Sequence, residues 1–458
     1  MTHYASVLMV KKWIEPHIDT SKWEYFDLSC KKRDETNDQV LHDAVAAGKK
    51  IAAIFKEPTI TPTQVQVDEM GLSKTYPSPN GAMRRGWNGI SISRDTIHIE
   101  GMRLGFDRPV LFDRHAVGGE YHASWNTCGP GKLECKFIPT YGEEVSIDNR
   151  SLVDNESVAV VYHNPLDNVH NMSHIFFQRC LDTKVVPYVV TKKTVFKWQE
   201  GFWRIMKKVF DETYKEKFTK AGLLPGGELQ HLISDAATMQ IIRWNKGGFG
   251  MAAHNYDGDM LTDEIAQMHR SPGFITSNLT GRREDGTEIK LFEASHGTVT
   301  DLWHMHLRGE ETSLNPLGLA EALLCALEHS AKLDCPNKYA KMKEFVNKMR
   351  KTLHECMVNG LGTRDLCGPQ GLTTEHFINA VRERFNGYEI SHLQKRYDIP
   401  VVNSEDLPPV EMDNVDFDAI KGMFDLYDLD GNGTIDVEEF TKMIIKLGVA
   451  PKLDNAMK

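Results

Sequence analysis

Val40–Phe55, VLHDAVAAGKKIAAIF, is the stretch whose reading sets the fold class. Its first part, VLHDAVAAG, spaces apolar residues three and four apart and predicts an amphipathic helix, and KKIAAIF predicts a strand directly after it. A helix feeding a buried strand is α/β grammar, and the same alternation fills the first part of the chain. Between about Ala116 and Tyr162 the pattern changes to short strand-like pieces such as KLECKFIP and VAVVYH, separated by polar turns. A small β-rich insertion is expected there, of a kind that often serves assembly. Helical periodicity dominates from Asn315 to Arg384, in LGLAEALLCALEHSAKL and KYAKMKEFVNKMRKTLHECM. IPVVNSEDLPPVEMDN then reads as a linker, because paired prolines and acids do not continue a helix. Beyond it, FDAIKGMFDLY and EEFTKMIIKLG are two amphipathic helices flanking a loop.

That loop is the sharpest local signal in the chain. Calcium takes hard oxygen ligands, and an EF-hand loop supplies them at positions 1, 3, 5, 7, 9 and 12 with glycine at 6. Asp428, Asp430, Asn432, Thr434 (through its carbonyl), Asp436 and Glu439 occupy those positions, with Gly433 at the turn and apolar Ile435 after it. The expected ligand is Ca²⁺. One hand is visible where EF-hands normally pair, and in a two-fold dimer the same loop of a second copy can cover the exposed edge.

Composition bounds the rest. The chain has 458 residues, 41% of them hydrophobic, enough for two or three domains with a sizeable core. A formal net charge of -10 argues against nucleic acid or an anionic membrane as a general partner. The eight cysteines are dispersed without a CxxC pair, which points to reduced thiols. No stretch has the length of a membrane span, and MTHYASVLMVKKW carries no readable targeting signal. GxGxxG is absent, so a nucleotide must be held by something other than a Rossmann turn.

Two weaker features lie in the α/β part. In NYDGD (Asn255 to Asp259) followed by Asp263, two carboxylates stand four apart, on one face if a helix follows the turn, and could grip a hard divalent ion. An N-capping Asp with a solvated partner is the plainer reading of that spacing. Arg84, Arg85, Arg94 and Arg114 stand out in an acidic chain and would suit a polycarboxylate if they converged, although single arginines are usually just solvated.

With these strings in order, the chain resembles homodimeric eukaryotic-type isocitrate dehydrogenases. TITP (Thr59 to Pro62), SPNG (Ser78 to Gly81), RHAVGGEY (Arg114 to Tyr121), TKKT (Thr191 to Thr194), NYDGD, HGTVT (His296 to Thr300) and ETSLNP (Glu311 to Pro316) carry the likeness, from Met1 to about Gly387. The resemblance implies an α/β fold with a large domain at residues 1–87 and 270–400, a small domain at 88–118 and 166–269, and a β-rich clasp at 119–165. The linker (401–412) and the α-helical EF-hand (413–450) would follow. It implies isocitrate as substrate, held by Thr61, Ser78, Asn80, Arg84, Arg94 and Arg114. Mg²⁺ or Mn²⁺ would be bound by Asp259 and Asp263 together with Asp235 of the neighbouring subunit. Lys192, also from across the interface, would help remove the hydroxyl proton before β-decarboxylation, and Tyr121 would return a proton to the product. Thr59, Thr61, His296, Gly297, Thr298, Val299, Thr300, Asp301 and Asn315 would line the cofactor site.

Family members using NADP follow HGTVT with Arg and His; here Asp301 and Leu302 follow. An acid there accepts bonds from ribose hydroxyls and repels a 2′-phosphate, so NAD is the expected cofactor. Gln66, at a position that is basic in the family, agrees, whereas Gln240 and Arg243 keep a polar and basic contribution from the partner. The family's first strand is missing ahead of Met1-Thr2, which points to an incomplete or internal start. One extra residue between Ser78 and Arg94, and one after Asp235, loosen the placement of Arg94 and Arg243. An NADP-dependent enzyme and a calcium-responsive scaffold with an inactive enzyme half are the competing readings; an isopropylmalate enzyme would leave the carboxylate-binding arginines unpaired. Resemblance to an NAD-linked member, with its place in the citric acid cycle, makes the mitochondrial matrix the expected compartment, with the cytoplasm as alternative.

Overall fold

The structure, a computed structural model, describes residues 1–334 and 336–399. The linker and the calcium ligands Asp428, Asp430, Asn432, Thr434, Asp436 and Glu439 lie outside the described residues.

Val40–Phe55 folds as read, with one shift. The helix runs over Gln39–Ile51, so Lys49 and Lys50 belong to its last turn and not to the strand. Basic side chains there complement the carbonyl end of the helix dipole, and Ala52, at φ 66°, turns the chain out of the helix into strand β1, Ala53–Lys56.

The strands that follow are β2 (Ser91–Asp95), β3 (Arg108–His115), β4 (Ser124–Cys128), β5 (Gly131–Phe137), β6 (Val145–Leu152) and β7 (Ser157–Val161). After them come β8 (Val186–Thr191), β9 (Gln230–Ile233), β10 (Gly247–Ala253), β11 (Thr276–Arg282) and β12 (Glu288–Ala294). Eight of them form one mixed sheet in the order β1-β12-β11-β2-β3-β10-β8-β9. The β3-β10-β8-β9 half is parallel, as is the β1-β12 pair, and β11 and β2 join the two halves through antiparallel pairing. Both faces are covered. Leu111 and Val189 pack with Phe176 and Phe177 on one side, while Phe112, Met251, Leu261 and Ile265 form a separate core on the other.

Helices Leu317–Asp334 and Pro336–Val358 supply the long helical stretch read from the sequence. Leu317, Leu323 and Leu324 bury against Val346, Met349 and Leu353 beside the first helix, Thr2–Met9. The β-rich insertion is a pair of two-stranded ribbons, β4 with β7 and β5 with β6. These ribbons carry exposed Trp125, Phe137, Ile147, Val158 and Val160, more apolar surface than a solvated ribbon would carry alone.

Candidate active site

Helix Asn255–His269 begins at Asn255 itself, so NYDGD is the first turn of a helix and not a turn ahead of one. Asp259 and Asp263 then stand one turn apart on one face. Gly258 lets this helix approach β3: a Cβ there would lie 2.8 Å from Arg114 Cβ. Arg114 therefore reaches Asp259 Oδ1 directly, and its Nε donates to Asn255 Oδ1 at 2.8 Å. Arg94, from the neighbouring strand β2, reaches Asp259 Oδ1 at 3.1 Å, Asp263 Oδ1 at 3.5 Å and Thr262 Oγ1 at 2.7 Å. Tyr121 donates to the other oxygen of Asp259, and its ring lies over the Arg114 guanidinium, 4.7 Å away.

Arg84 completes the group. Its helix, Pro79–Gly86, starts with Ser78 at the N-cap and Asn80 in the first turn. The Ser78 hydroxyl makes no capping bond, so both polar groups are open to a ligand at the positive end of the helix. Arg84 is 9% exposed, sits 5.9 Å from the Tyr121 ring centre, and has no hydrogen bond or ion pair from its guanidinium among the described residues. Arg94 Nε and Arg114 Nη2 are also buried without a partner. Three buried arginines with donors to spare can take a further anion beside Asp259.

The electrostatics agree. Burial, then the neighbouring Arg84 and Arg94, pull Arg114 down to about 9. Burial works against the Asp259 carboxylate, but Arg114 and Arg94 outweigh it and hold its carboxyl below the usual range. Partial loss of hydration raises Asp263, whose side chain is otherwise exposed. Tyr121, partly buried and bonded to Asp259, is pushed up to about 12, so it keeps its proton throughout the neutral range.

Lys192 and Asp235 form a second, separate group. The β8–β9 pairing sets Thr191 opposite Ile233, which brings Lys192 Nζ onto Asp235 at the start of helix Ser234–Arg243. No three His, Cys, Asp or Glu side chains converge on one point among the described residues, so Asp235 does not join Asp259 and Asp263 within one chain.

The profile of the isocitrate/isopropylmalate dehydrogenase family matches residues 2–381, and that of the EF hand domain matches residues 419–447. The chain belongs to the isocitrate/isopropylmalate dehydrogenase family. It is 56% identical over its full length to the mitochondrial isocitrate dehydrogenase [NAD(+)] 1 of Phaeodactylum tricornutum, covering 86% of that protein. With the mitochondrial NAD(+) isocitrate dehydrogenase of Ostreococcus tauri it shares 59% identity, over 84% of this chain and 83% of that one. The crystal structure of an Ostreococcus tauri isocitrate dehydrogenase with isocitrate and magnesium(II) superposes with a TM-score of 0.81 at 60% identity, covering 84% of this chain and 96% of that one.

In this family member the other motifs gather at the ends of β1 and β12. Thr59 and Thr61 lie in the loop after β1; Thr61 is exposed. His296–Thr300 follows β12, and His296 carries a buried ring nitrogen without a partner, a vacant donor or acceptor for a ligand in that loop. Val299, at φ 51°, turns this loop into helix Thr300–Leu307, whose first turn holds exposed Asp301. Gln66 closes a capping box with Thr63, its Oε1 accepting from Thr63 N at 3.0 Å, so it offers no cation to a phosphate. Asn315 spans Asp365 Oδ2 at 2.9 Å and Leu317 N at 3.0 Å. Gln240 and Arg243 sit on the same helix as Asp235.

Sequence reading missed Asn255 and Thr262, which orient Arg114 and Arg94. It also missed the Lys56–Glu293 pair, 2.8 Å, tying β1 to β12 beneath the loops that follow these strands. Asn255 was within reach, inside the quoted NYDGD; Thr262 and Lys56–Glu293 leave no local signal.

The Arg84 geometry sets an expectation of its own. Arg84→Gln should raise the KM for isocitrate by about 10–100-fold, the worth of one or more bonds to a charged group. The free protein should melt about 2–4 °C higher, because an unpaired buried cation is gone. Steady-state kinetics and a melting curve on the same preparation check both; a drop in both affinity and melting temperature would contradict the unpaired-cation reading.

Proposed function

We propose that this chain catalyses the oxidative decarboxylation of isocitrate to 2-oxoglutarate and CO₂ with reduction of NAD, as a homodimer whose active sites are shared between subunits. The observation that carries the reading is the set of three buried arginines with unused donors, gathered around two carboxylates on one helix face. A small polycarboxylate satisfies those donors, and Ser78 and Asn80 at the helix start extend the cradle.

Asp259 and Asp263 offer hard oxygens suited to Mg²⁺ or Mn²⁺, and Asp235 of a second copy completes the set. Such an ion, when bound, supplies Lewis-acid stabilisation of negative charge on the substrate hydroxyl and keto oxygens. Thr59, Thr61, His296–Thr300, Asp301 and Asn315 would hold NAD, which would supply the hydride acceptor. The chain's own groups do the rest. Arg84, Arg94 and Arg114 hold the carboxylates in register. Lys192, docked on Asp235, reaches the neighbouring site to take the hydroxyl proton, and Tyr121, protonated at neutral pH, gives a proton to the carbon left by CO₂.

The split arrangement supports sharing: Lys192–Asp235 and Tyr121–Asp259–Asp263 are separate groups in one chain, and a two-fold dimer would bring each to the other. The exposed apolar ribbons β4–β7 and β5–β6 supply the contact surface. The match to the EF hand domain supports calcium binding at Asp428–Glu439, and we assign these hands to pairing across the dimer. Two relatives described as mitochondrial support the mitochondrial matrix as the compartment.

Cofactor choice rests on Asp301. Turnover with NAD should exceed turnover with NADP by about 100-fold or more in kcat/KM, and Asp301→Arg should close that gap by at least about 10-fold, mainly by gaining NADP. Initial rates with each cofactor test this; an NADP preference in the unmodified protein overturns the assignment.

A further inference from the structure

Side chains alternate across the β2–β3 pair, so the face opposite Arg94 and Arg114 carries Ser91, Ser93 and Asp95 from β2 and Asp113 from β3. Ser93 stands directly opposite Asp113 in the register. Asp113 is fully buried and accepts from Ser91 Oγ at 2.8 Å and from Ser93 Oγ. Arg179, from helix Val169–Thr183 packed behind the sheet, donates Nη1 to Asp113 Oδ2 at 2.6 Å and Nη2 to Asp95 Oδ1. One guanidinium thus forks between two adjacent strands, each of which carries a substrate arginine on its other face.

We infer that Arg179 is a positioning residue that fixes the spacing of Arg94 and Arg114, through Asp95 and Asp113 on the rear of the same two strands. Burial of this face does not require it, since a buried ion cluster generally contributes no more stability than apolar side chains of the same volume. What the cluster adds is register: a slip of one residue between β2 and β3 would leave Arg94 and Arg114 on opposite faces, and a smaller shift would spoil their joint grip. The location sharpens the need. β2–β3 is the pair through which the β1-β12-β11 half of the sheet joins the parallel half, so it carries whatever strain passes between them. Asp113 adjoins Arg114 in sequence, and Ser93 and Asp95 flank Arg94, so a displacement behind the sheet reaches each arginine through one peptide unit.

The inference rests on isocitrate being the substrate, and the test separates the two. With the full-length enzyme and Mg²⁺, Arg179→Met is expected to raise the isocitrate KM about 10-fold, change kcat less than about 3-fold and leave the NAD KM within about 2-fold. Arg179→Lys, which can reach one carboxylate but not fork between two, should fall between. Should Arg179→Met fail to fold, Ser93→Ala decides, with an expected rise of about 2–5-fold in isocitrate KM alone. Calorimetric titration with isocitrate and Mg²⁺ should give the same ranking without turnover. An isocitrate KM and affinity unchanged within 2-fold overturns the inference, as does a parallel loss in kcat and NAD KM, the pattern of general loosening. If the unmodified protein binds isocitrate but does not reduce NAD, the proposed reaction fails while the binding series still judges Arg179. An unmodified protein that neither binds nor oxidises isocitrate overturns both.

Discussion

Asp259→Asn should cut isocitrate-dependent NAD reduction by about 10³-fold or more, with saturating Mg²⁺ or Mn²⁺ failing to restore it. Asp259 is the point on which Arg94, Arg114 and Tyr121 all converge, and it shares a helix face with Asp263. The amide keeps the size of the side chain and removes its charge. A neutral group binds a hard divalent ion weakly, and the Tyr121 hydroxyl loses the anion that fixes its direction. Isocitrate affinity should suffer less than turnover, because Arg84 and the unused donors of Arg94 and Arg114 remain. Stability should fall too, since two buried arginines lose a counter-charge, so circular dichroism and melting must accompany the kinetics. A folded variant within 10-fold of the unmodified rate would remove Asp259 from the metal set.

The sequence made the elements legible where the pattern is local. VLHDAVAAG and the stretch from Leu317 to Met357 announce their helices by spacing, and the calcium loop is recognised because its ligands fall within twelve residues. Boundaries were less legible. Lys49–Ile51 reads equally well as strand or helix until the left-handed turn at Ala52 ends the helix, and NYDGD resembles a turn because Asn, Asp and Gly favour one. The active site was legible as motifs and not as geometry. Nothing in the primary sequence says that Arg94 and Arg114 share a sheet face, since that depends on the pairing of β2 with β3. Nor could it show that Arg84 stays unpaired while Arg33, fully buried, is matched by Asp38. Asp113 and Arg179, 66 residues apart, look like ordinary surface charges until helix Val169–Thr183 packs behind β3.

The shared active site is the central claim, and its direct measurement is complementation between two inactive variants. Lys192→Met should be nearly silent as a homodimer, about 10²–10⁴-fold below the unmodified protein, because a positioned proton acceptor is lost from both sites. Asp259→Asn homodimers should be silent through the other group. Co-expressed with different affinity tags and purified as the heterodimer, the two should regain about half of the unmodified turnover per dimer. One site then inherits both defects, while the other combines an intact Asp259 with an intact Lys192. That recovery is the expected result; a purified heterodimer as inactive as its parents would contradict a shared site.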